Sequence, residues 1–438
     1  MSKTRKILVL GASGLVGRWI VDDLRMRGFE VVGVARKFGA SQRRSPSDLE
    51  LPVVFMDTAA LAQLLRERTI DIVVNCLGVL QDSPGSDTAA VHRDFVARLL
   101  QAIRASDRDI CLVHISIPGE ANTDRTAFAT TKREAERLIT ASGIAFAILR
   151  PGFVVAPAAY GGSALIRALA ALPVELPVRE AAVPFQAVAV EDIAGTVAWL
   201  AERDLTEPRA VSWDLMQQDL ITLGGVITQF RNAYGTAEWP HLRLPTFLLD
   251  LGARLGDLVS CLGWMPPIRT AAVVELRRGV SGDPTSWIAA TGIVPKRMEN
   301  LIGGRTATIQ DKWFSRLYLI KPLAIASLVL FWLVSGFIAL VISYDAAAGI
   351  LRDHNFAPAS VAPITILTSL MDMSIGILIA FRRTCALGLI AGILASVGYM
   401  VGSAILAPDL WVEPLGALVK TGPAIVLMLV VLLILDNR

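Results

Sequence analysis

The chain has 438 residues, of which 53% are hydrophobic and only 18% charged, and its mean hydropathy is +0.54. That is too apolar for an ordinary soluble protein of this size, so part of it is expected to live in lipid. The net charge of +3 is small and the basic residues make no stripe suited to nucleic acid, and no disulfide framework or zinc site follows from the four scattered cysteines.

The first element is a buried strand, Lys6-Ile7-Leu8-Val9-Leu10, followed at once by Gly11-Ala12-Ser13-Gly14-Leu15-Val16-Gly17. A strand joined to a glycine-paced turn and a helix start is the pattern of a dinucleotide site. The first glycine permits the tight turn, the second lets the backbone approach a pyrophosphate, and the third allows close helix packing. The helix beginning near Leu15 turns its free N–H groups toward the phosphates, so Gly11, Ser13, Gly14, Leu15, Val16 and Gly17 are predicted to bind the cofactor. Ile20, Val21 and Leu24 continue one helical face, and Phe29 to Ala35 reads as a second strand at βαβ distance. That strand ends Val34-Ala35-Arg36-Lys37, where an NAD-specific site would place a carboxylate. Arg36 is therefore predicted to hold a 2′-phosphate, with Arg43-Arg44 able to share the task, and the expected cofactor is NADP, or NAD.

Strand and helix signals then alternate: Val53 to Met56, Leu61 to Arg66, Asp71 to Leu77, a helix around Val91 to Ile103, and Ile110 to Ile115. A helix from Thr130 to Ala141 leads into a strand, Ile144 to Leu149, that ends at Arg150-Pro151-Gly152. This alternation predicts a doubly wound parallel α/β sheet, a Rossmann domain over 1–205. Over 206–312 the pattern loosens into short helical segments expected to complete a small substrate lobe.

From 313 onward the chain is expected to be an all-α bundle of four transmembrane helices, because Pro322 to Val341, Pro363 to Ala380, Ala386 to Leu406 and Leu415 to Leu435 each approach the length that spans hydrocarbon. Lys312, Arg316 and Lys321 precede the first span and Arg382-Arg383 fill the second connection, whereas Asp345, Asp353, Asp409 and Glu413 lie in the other two. With no apolar leader ahead of the first strand, this positive-inside pattern predicts a multi-pass protein of a bacterial-type inner membrane with both ends cytoplasmic. Asp372 and Lys420, ionisable residues at similar depth in the second and fourth spans, are expected to pair, or to share a polar site for a lipid-soluble headgroup. The sequence sets no oligomeric state.

Taken together, the N-terminal motifs resemble an extended or atypical short-chain dehydrogenase/reductase. The resemblance covers roughly the first 200 residues. It implies that Asp57 contacts adenine, that Asn75 in Asn75-Cys76-Leu77-Gly78 lies at the cofactor, and that Ser116 is the catalytic serine; Val188 to Ala194 resembles the family's late strand-to-helix element. Where the family has Tyr-xxx-Lys, this chain has Phe128-Ala129-Thr130-Thr131-Lys132. A phenyl ring neither donates nor accepts a proton, while Lys132 can still hold the nicotinamide ribose. His114 and Tyr160 are the remaining proton carriers nearby in sequence, each with a bland alternative as a core histidine and a loop aromatic.

The last 120 or so residues resemble the DoxX-like four-helix family through Trp332-Leu333-Val334-Ser335-Gly336, Asp372, Ile375-Gly376 and Leu410-Trp411-Val412-Glu413-Pro414-Leu415-Gly416 with Lys420. Two functions follow as expectations. One is an NAD(P)-dependent oxidoreductase, tethered to the bilayer, that acts on a membrane-associated or lipid-soluble substrate. The other is a catalytically silent, nucleotide-bound sensor or assembly factor for a membrane redox complex.

Overall fold

The computed structural model describes residues 5–39, 42, 45–82, 87–159, 161–203, 210–303, 307–412 and 416–435. Arg43, Arg44, Tyr160 and Glu413 to Leu415 lie outside them. The chain divides into two units, Met1–Asp257 with Pro267–Ser315, and Leu258–Pro266 with Arg316–Arg438.

The first unit is built on a parallel sheet. In chain order it begins β1 (Lys6–Leu10), α1 (Leu15–Met26), β2 (Glu30–Ala35), β3 (Leu49–Glu50), α2 (Thr58–Glu67), β4 (Ile72–Asn75), α3 (Phe95–Ala105), β5 (Cys111–Ile115), α4 (Ala127–Thr140) and β6 (Phe146–Pro151). It continues with β7 (Phe153–Val155), α5 (Gly162–Ala171), β8 (Val174–Glu175), α6 (Val178–Ala181), β9 (Ala187–Ala189), α7 (Val190–Glu202) and β10 (Ala210–Leu215). Seven strands pair in the order β10-β6-β5-β4-β1-β2-β3, all parallel. The reversal beside β1, with β4 on one side and β2 on the other, opens a crevice at the carboxyl end of β1, where the glycine loop lies.

Both faces of this sheet are covered, which is why its strands are apolar without alternation. Ile7 and Val9 pack with Ile20 and Leu24 of α1 and with Ile193 and Val197 of α7. Leu8 and Leu10 face the other way, onto Leu61 and Leu65 of α2 and Phe95 and Leu99 of α3. The expected strand at Val53 to Met56 is instead a short 3-10 turn, Val53–Phe55. Pro52 just before it has no N–H for the ladder, so pairing with β2 stops after Val34 with Leu49 and Ala35 with Glu50. The seventh strand, β10, comes from the stretch read as substrate lobe. The rest of that stretch forms α8 (Leu223–Tyr234), β11 (Leu242–Arg243), α9 (Thr246–Ser260), α10 (Thr270–Arg278), α11 (Thr285–Thr291) and α12 (Met298–Gly303); β11 pairs with the earlier β8, and β7 with β9, as two small sheets.

The second unit is helical, with α13 (Ile309–Phe337) beginning just before it, then α14 (Tyr344–Asp353), α15 (Pro358–Ala380), α16 (Cys385–Leu406) and α17 (Ala417–Leu433). Among the described residues three helices are long and apolar enough to cross a bilayer: Ile309–Ile342, Pro358–Ala380 and Cys385–Leu406. The fourth expected span is present as a shorter apolar helix, Leu418–Leu433. Its core joins Leu328 and Trp332 of α13, Ile375 and Ile379 of α15, Leu389 of α16, and Met428 and Val431 of α17. Helices packed this way need small residues at their crossings. A Cβ on Gly336 would lie 2.5 Å from Ser369 O, and one on Gly376 would lie 2.7 Å from Leu333 Cγ.

At one end of this unit, Lys321 Nζ and Arg382 Nη2 both donate to Leu435 O, at 3.0 and 3.3 Å. At the loops where the acidic residues collect, His354 Nε2 meets Asp409 Oδ1 at 2.7 Å. The expected pair of Asp372 with Lys420 does not form. Tyr399 Oη of α16 donates to Asp372 Oδ1 at 2.7 Å, and Lys420 is exposed. Depth along two helices follows from the rise per residue, but which way each side chain points depends on helix rotation.

Candidate functional site

The glycine loop is built as its spacing requires. Gly11 has φ +83°, and its N–H and that of Ala12 both donate to Val34 O, at 2.9 and 3.0 Å. A Cβ at Gly17 would stand 2.3 Å from Gly11 O, so only glycine lets α1 start this close to the loop. Gly14 caps α1 with no side-chain hydrogen bond, and the first bond inside the helix runs from Arg18 N to Gly14 O. The amides of Leu15, Val16 and Gly17 thus have no carbonyl of their own helix to meet, which is the donor set an anion takes. Gln42 Nε2 donates to Ser13 O at 3.1 Å, tying the segment after β2 to the loop. Arg36 is exposed one residue past β2. Of the acids nearest that strand end, Glu50 Oε1 accepts from Phe38 N and Asp48 Oδ1 accepts from Gly33 N. Asp57 Oδ1 is the N-cap of α2, accepting from Ala60 N at 2.7 Å.

The second half of the site collects at the ends of β4 and β5. Lys132 is buried and donates to Ile115 O at 2.8 Å and Leu77 O at 3.1 Å. An ammonium has three protons, so one remains for a ligand. A Cβ at the exposed Gly78 would lie 3.8 Å from Lys132 Nζ. Burial pulls the Lys132 ammonium down to about 8, against Cys76 and Glu136, which favour its charge. Burial likewise pushes the Cys76 thiol up to about 12, although Lys132 opposes it. Asn75 Oδ1 accepts from Leu77 N, and its amide nitrogen sits 3.1 Å from His114 Nδ1. With Nδ1 accepting from the amide, His114 carries its proton on Nε2, which is buried with no partner.

Sequence reasoning missed His92. It lies in a π-helical turn, Ala90–Asp94, that runs into α3, and such turns recur at functional sites. Its Nε2 accepts from Val79 N at 3.0 Å, its Nδ1 meets Thr131 Oγ1 at 2.9 Å, and its ring stands edge-on to Phe128 with centroids 5.6 Å apart. The available signal was its place on one helical face with Val96, Leu99 and Ile103, a polar residue on an apolar stripe. Burial first, then the Lys132 charge, push His92 down to about 3, and the same two effects hold His114 well below its usual value. Both histidines are therefore neutral at physiological pH.

Ser116 Oγ is buried with no hydrogen bond of ordinary geometry, yet it lies close enough to Glu136 to help hold that acid ionised. Burial raises the Glu136 acid, but the Arg150 hydrogen bonds, Ser116 and the Arg133 charge outweigh it and leave it below the usual carboxylate range. Arg150 grips Glu136 with both forks, at 2.9 and 2.7 Å. Arg133 donates to Ile117 O and Pro118 O, each at 3.1 Å, and to Asp124 Oδ2 at 3.2 Å. Arg278 reaches Pro118 O at 3.0 Å and Asp124 Oδ1 at 3.3 Å. The segment carrying Ser116 is thus clamped by two arginines. A cavity of about 570 Å³ borders this network, lined by Arg133, Glu136, Arg137, Thr140 and Arg150 among others; neither Lys132 nor the glycine loop reaches it. Among the described residues no cluster of His, Cys, Asp and Glu could hold a metal ion.

Residues 7–203 match the NAD dependent epimerase/dehydratase family, and residues 329–429 match the DoxX-like family. The chain is 34% identical over 110 residues to divinyl chlorophyllide a 8-vinyl-reductase, chloroplastic, of Cucumis sativus, covering 22% of this chain and 26% of that protein. It is 28% identical over 193 residues to 3-diazoavenalumate denitrifying reductase of a Streptomyces species, covering 36% of this chain and 61% of the relative. It therefore spans between about a quarter and three fifths of the length of these curated relatives. UDP-glucose 4-epimerase of Thermotoga maritima superposes with a TM-score of 0.53 at 15% identity, over 72% of this chain and 99% of that one. The enzyme WbmG of Bordetella bronchiseptica, solved in complex with NAD, superposes with a TM-score of 0.51 at 15% identity, over 69% and 93%. At such identities the likeness is one of fold. The chain joins an NAD-dependent epimerase/dehydratase-type Rossmann domain to a DoxX-like domain whose apolar helices suit a membrane.

Proposed function

We propose that this protein is a membrane-tethered, NAD(P)-dependent oxidoreductase that reduces a lipid-soluble or membrane-delivered substrate. The observation that carries this reading is the glycine loop with its open helix start, facing the same crevice as a buried lysine with one proton to spare. The residues fit a dinucleotide: the cradle between Gly11 and Gly17 closes if a Cβ is added. A bound nicotinamide cofactor supplies a hydride. The amides of Leu15, Val16 and Gly17, with Ser13 beside them, would hold the pyrophosphate, Arg36 a 2′-phosphate and Asp57 the adenine; Asn75 and Lys132 would hold the nicotinamide ribose. Ser116 would orient the substrate.

Phe128 moves no proton, and the two neutral histidines beside Lys132 are poor acids. That favours substrates reduced by hydride at an electrophilic centre with the balancing proton drawn from water. The names of the curated relatives, both reductases, support this direction. The gathering of Lys321 and Arg382 at one end of the helical unit supports an orientation with that end on the cytoplasmic face of a bacterial-type inner membrane.

Phe128 also favours a second reading, a nucleotide-bound sensor or assembly factor that does no chemistry. Mass spectrometry of ligands co-purifying with the detergent-solubilised full chain, followed by NADPH oxidation in membranes, separates the two. Turnover abolished by Lys132→Ala supports the enzyme; a bound cofactor that never changes redox state supports the sensor. For the cofactor itself, Arg36→Ala is expected to weaken NADPH by roughly tenfold, or about 1.4 kcal/mol, and to leave NADH unchanged. Equal weakening of both removes the 2′-phosphate assignment.

A further inference from the structure

Helix α9 carries its apolar residues on the outside. Phe247, Leu251, Leu255 and Leu258 are 64%, 48%, 52% and 66% exposed, and Leu248 and Val259 flank them. At 100° per residue these six fill a single sector of about 120°. The opposite sector holds Leu249, Asp250, Ala253, Gly256, Asp257 and Ser260; Ala253, Gly256 and Ser260 are buried and the other three half-buried. Asp250 pairs with Arg277 at 2.9 Å, Asp257 pairs with Arg269 at 3.0 Å, and a Cβ on Gly256 would meet Ile268 O at 1.9 Å. A helix that packs its small residues and bares every leucine but Leu249 is inverted relative to a surface helix in water.

The end of α9 says what covers the bared side. After Ser260 the chain turns onto the basic end of the helical unit. Trp264 Nε1 donates to Ala380 O, the last residue of α15, at 2.7 Å. Arg382 N donates to Leu262 O at 3.0 Å, and the Arg382 guanidinium lies over the Trp264 ring at 5.5 Å. The turn that continues α9 is thereby fixed at the level where two apolar helices emerge, with a tryptophan and an arginine, the residue types of a bilayer interface. Arg254 is exposed at the border of the apolar sector, placed for its stem to run along lipid and its charge to reach headgroups.

We propose that α9 is an interfacial helix that lies in the plane of the bilayer surface with Leu251, Leu255 and Leu258 in the acyl boundary. It would be a second, monotopic membrane contact of the chain. The proposal rests on the reading of α13, α15 and α16 as membrane spans. Burial of such a face typically reaches about 5 to 10 Å below the headgroups.

The test uses the full chain in a Cys261→Ser background, reconstituted into phosphatidylcholine–phosphatidylglycerol vesicles. A solvent-sensitive fluorophore is attached through Leu251→Cys or Leu255→Cys. Leu394→Cys, on the exposed side of α16, reports insertion itself, and Met26→Cys, on α1, reports water. Loss of fluorescence to nitroxides carried shallow in the acyl chains at 251 and 255, with a smaller loss to aqueous iodide than at 26, is the expected result. Iodide quenching at 251 and 255 equal to that at 26, while 394 is quenched from lipid, overturns the proposal and leaves the spans intact. Protection from both quenchers overturns it in favour of a protein partner. Failure of lipid quenching at 394 overturns the spanning reading on which it rests.

Discussion

In the Rossmann unit, buried charges come as a mesh: Arg133, Asp124, Glu136, Arg150 and Arg278 satisfy one another and the backbone carbonyls of Ile117, Pro118 and Gly119 around the segment that carries Ser116. In the helical unit, among the described residues, polar contacts are sparser: within the spans Asp372 accepts from Tyr399, the His354 and Asp409 pair and the cations on Leu435 O lie at its ends, and Gly336 and Gly376 allow close packing. The difference follows from the solvent. Water drives apolar burial in the first unit, so polar cost can be absorbed in networks that shape a site. Lipid offers no such drive, so helices there associate through small residues and few hydrogen bonds. Chemistry is expected to be sensitive to substitutions in the first unit, and assembly to those in the second.

The sharpest probe of that contrast is Phe128→Tyr. Restoring a phenol one helical turn from Lys132 is expected to raise turnover of a carbonyl substrate by up to about two to four decades, while the nucleotide dissociation constant stays nearly unchanged. A large loss of NADPH affinity on titration would show that Phe128 is placed elsewhere than its spacing from Lys132 implies. Next in size, Gly17→Ala forces a Cβ against Gly11 O and should cost the first unit roughly 1 to 3 kcal/mol along with most nucleotide binding. Calorimetry of the detergent-solubilised chain should show only the Rossmann transition moving; a shift of both transitions would break the comparison.

Tyr399→Phe reverses the pattern. Leaving Asp372 without its donor should lower the stability of the helical unit by about 1 kcal/mol, with NADPH binding unaltered by fluorescence titration. The smallest effect concerns pH. Because the Lys132 amine titrates near 8 in the folded protein, its charge is present below that pH and lost above it. Dinucleotide affinity should therefore weaken a few-fold between pH 7 and 9, and Lys132→Met should bind more weakly with that pH dependence gone. A variant that keeps the same pH profile would place the titrating group elsewhere.

The glycine loop and the parallel sheet were legible in the sequence because each depends on local spacing: a strand, three glycines, a helix. Lys132 was legible by its distance from Phe128 within one helix. What could not be read was contact across elements. His92 reaches Phe128 and Thr131 from a different helix, and the mesh around Asp124 draws Arg278 from 154 residues away. Asp372 and Lys420 were matched by depth alone, and rotation of the helices gave the acid to Tyr399. Val53 to Met56 has strand composition, but Pro52 ends the ladder before it.

The two cations on Leu435 O bear on the order in which the chain is made. That carbonyl lies after the last helix of the unit, so Lys321 and Arg382 are both synthesised before the carbonyl they share. The basic end of the bundle closes only as the last apolar helix arrives. A nascent chain arrested after α16 would lack the carbonyl on which the two cations meet.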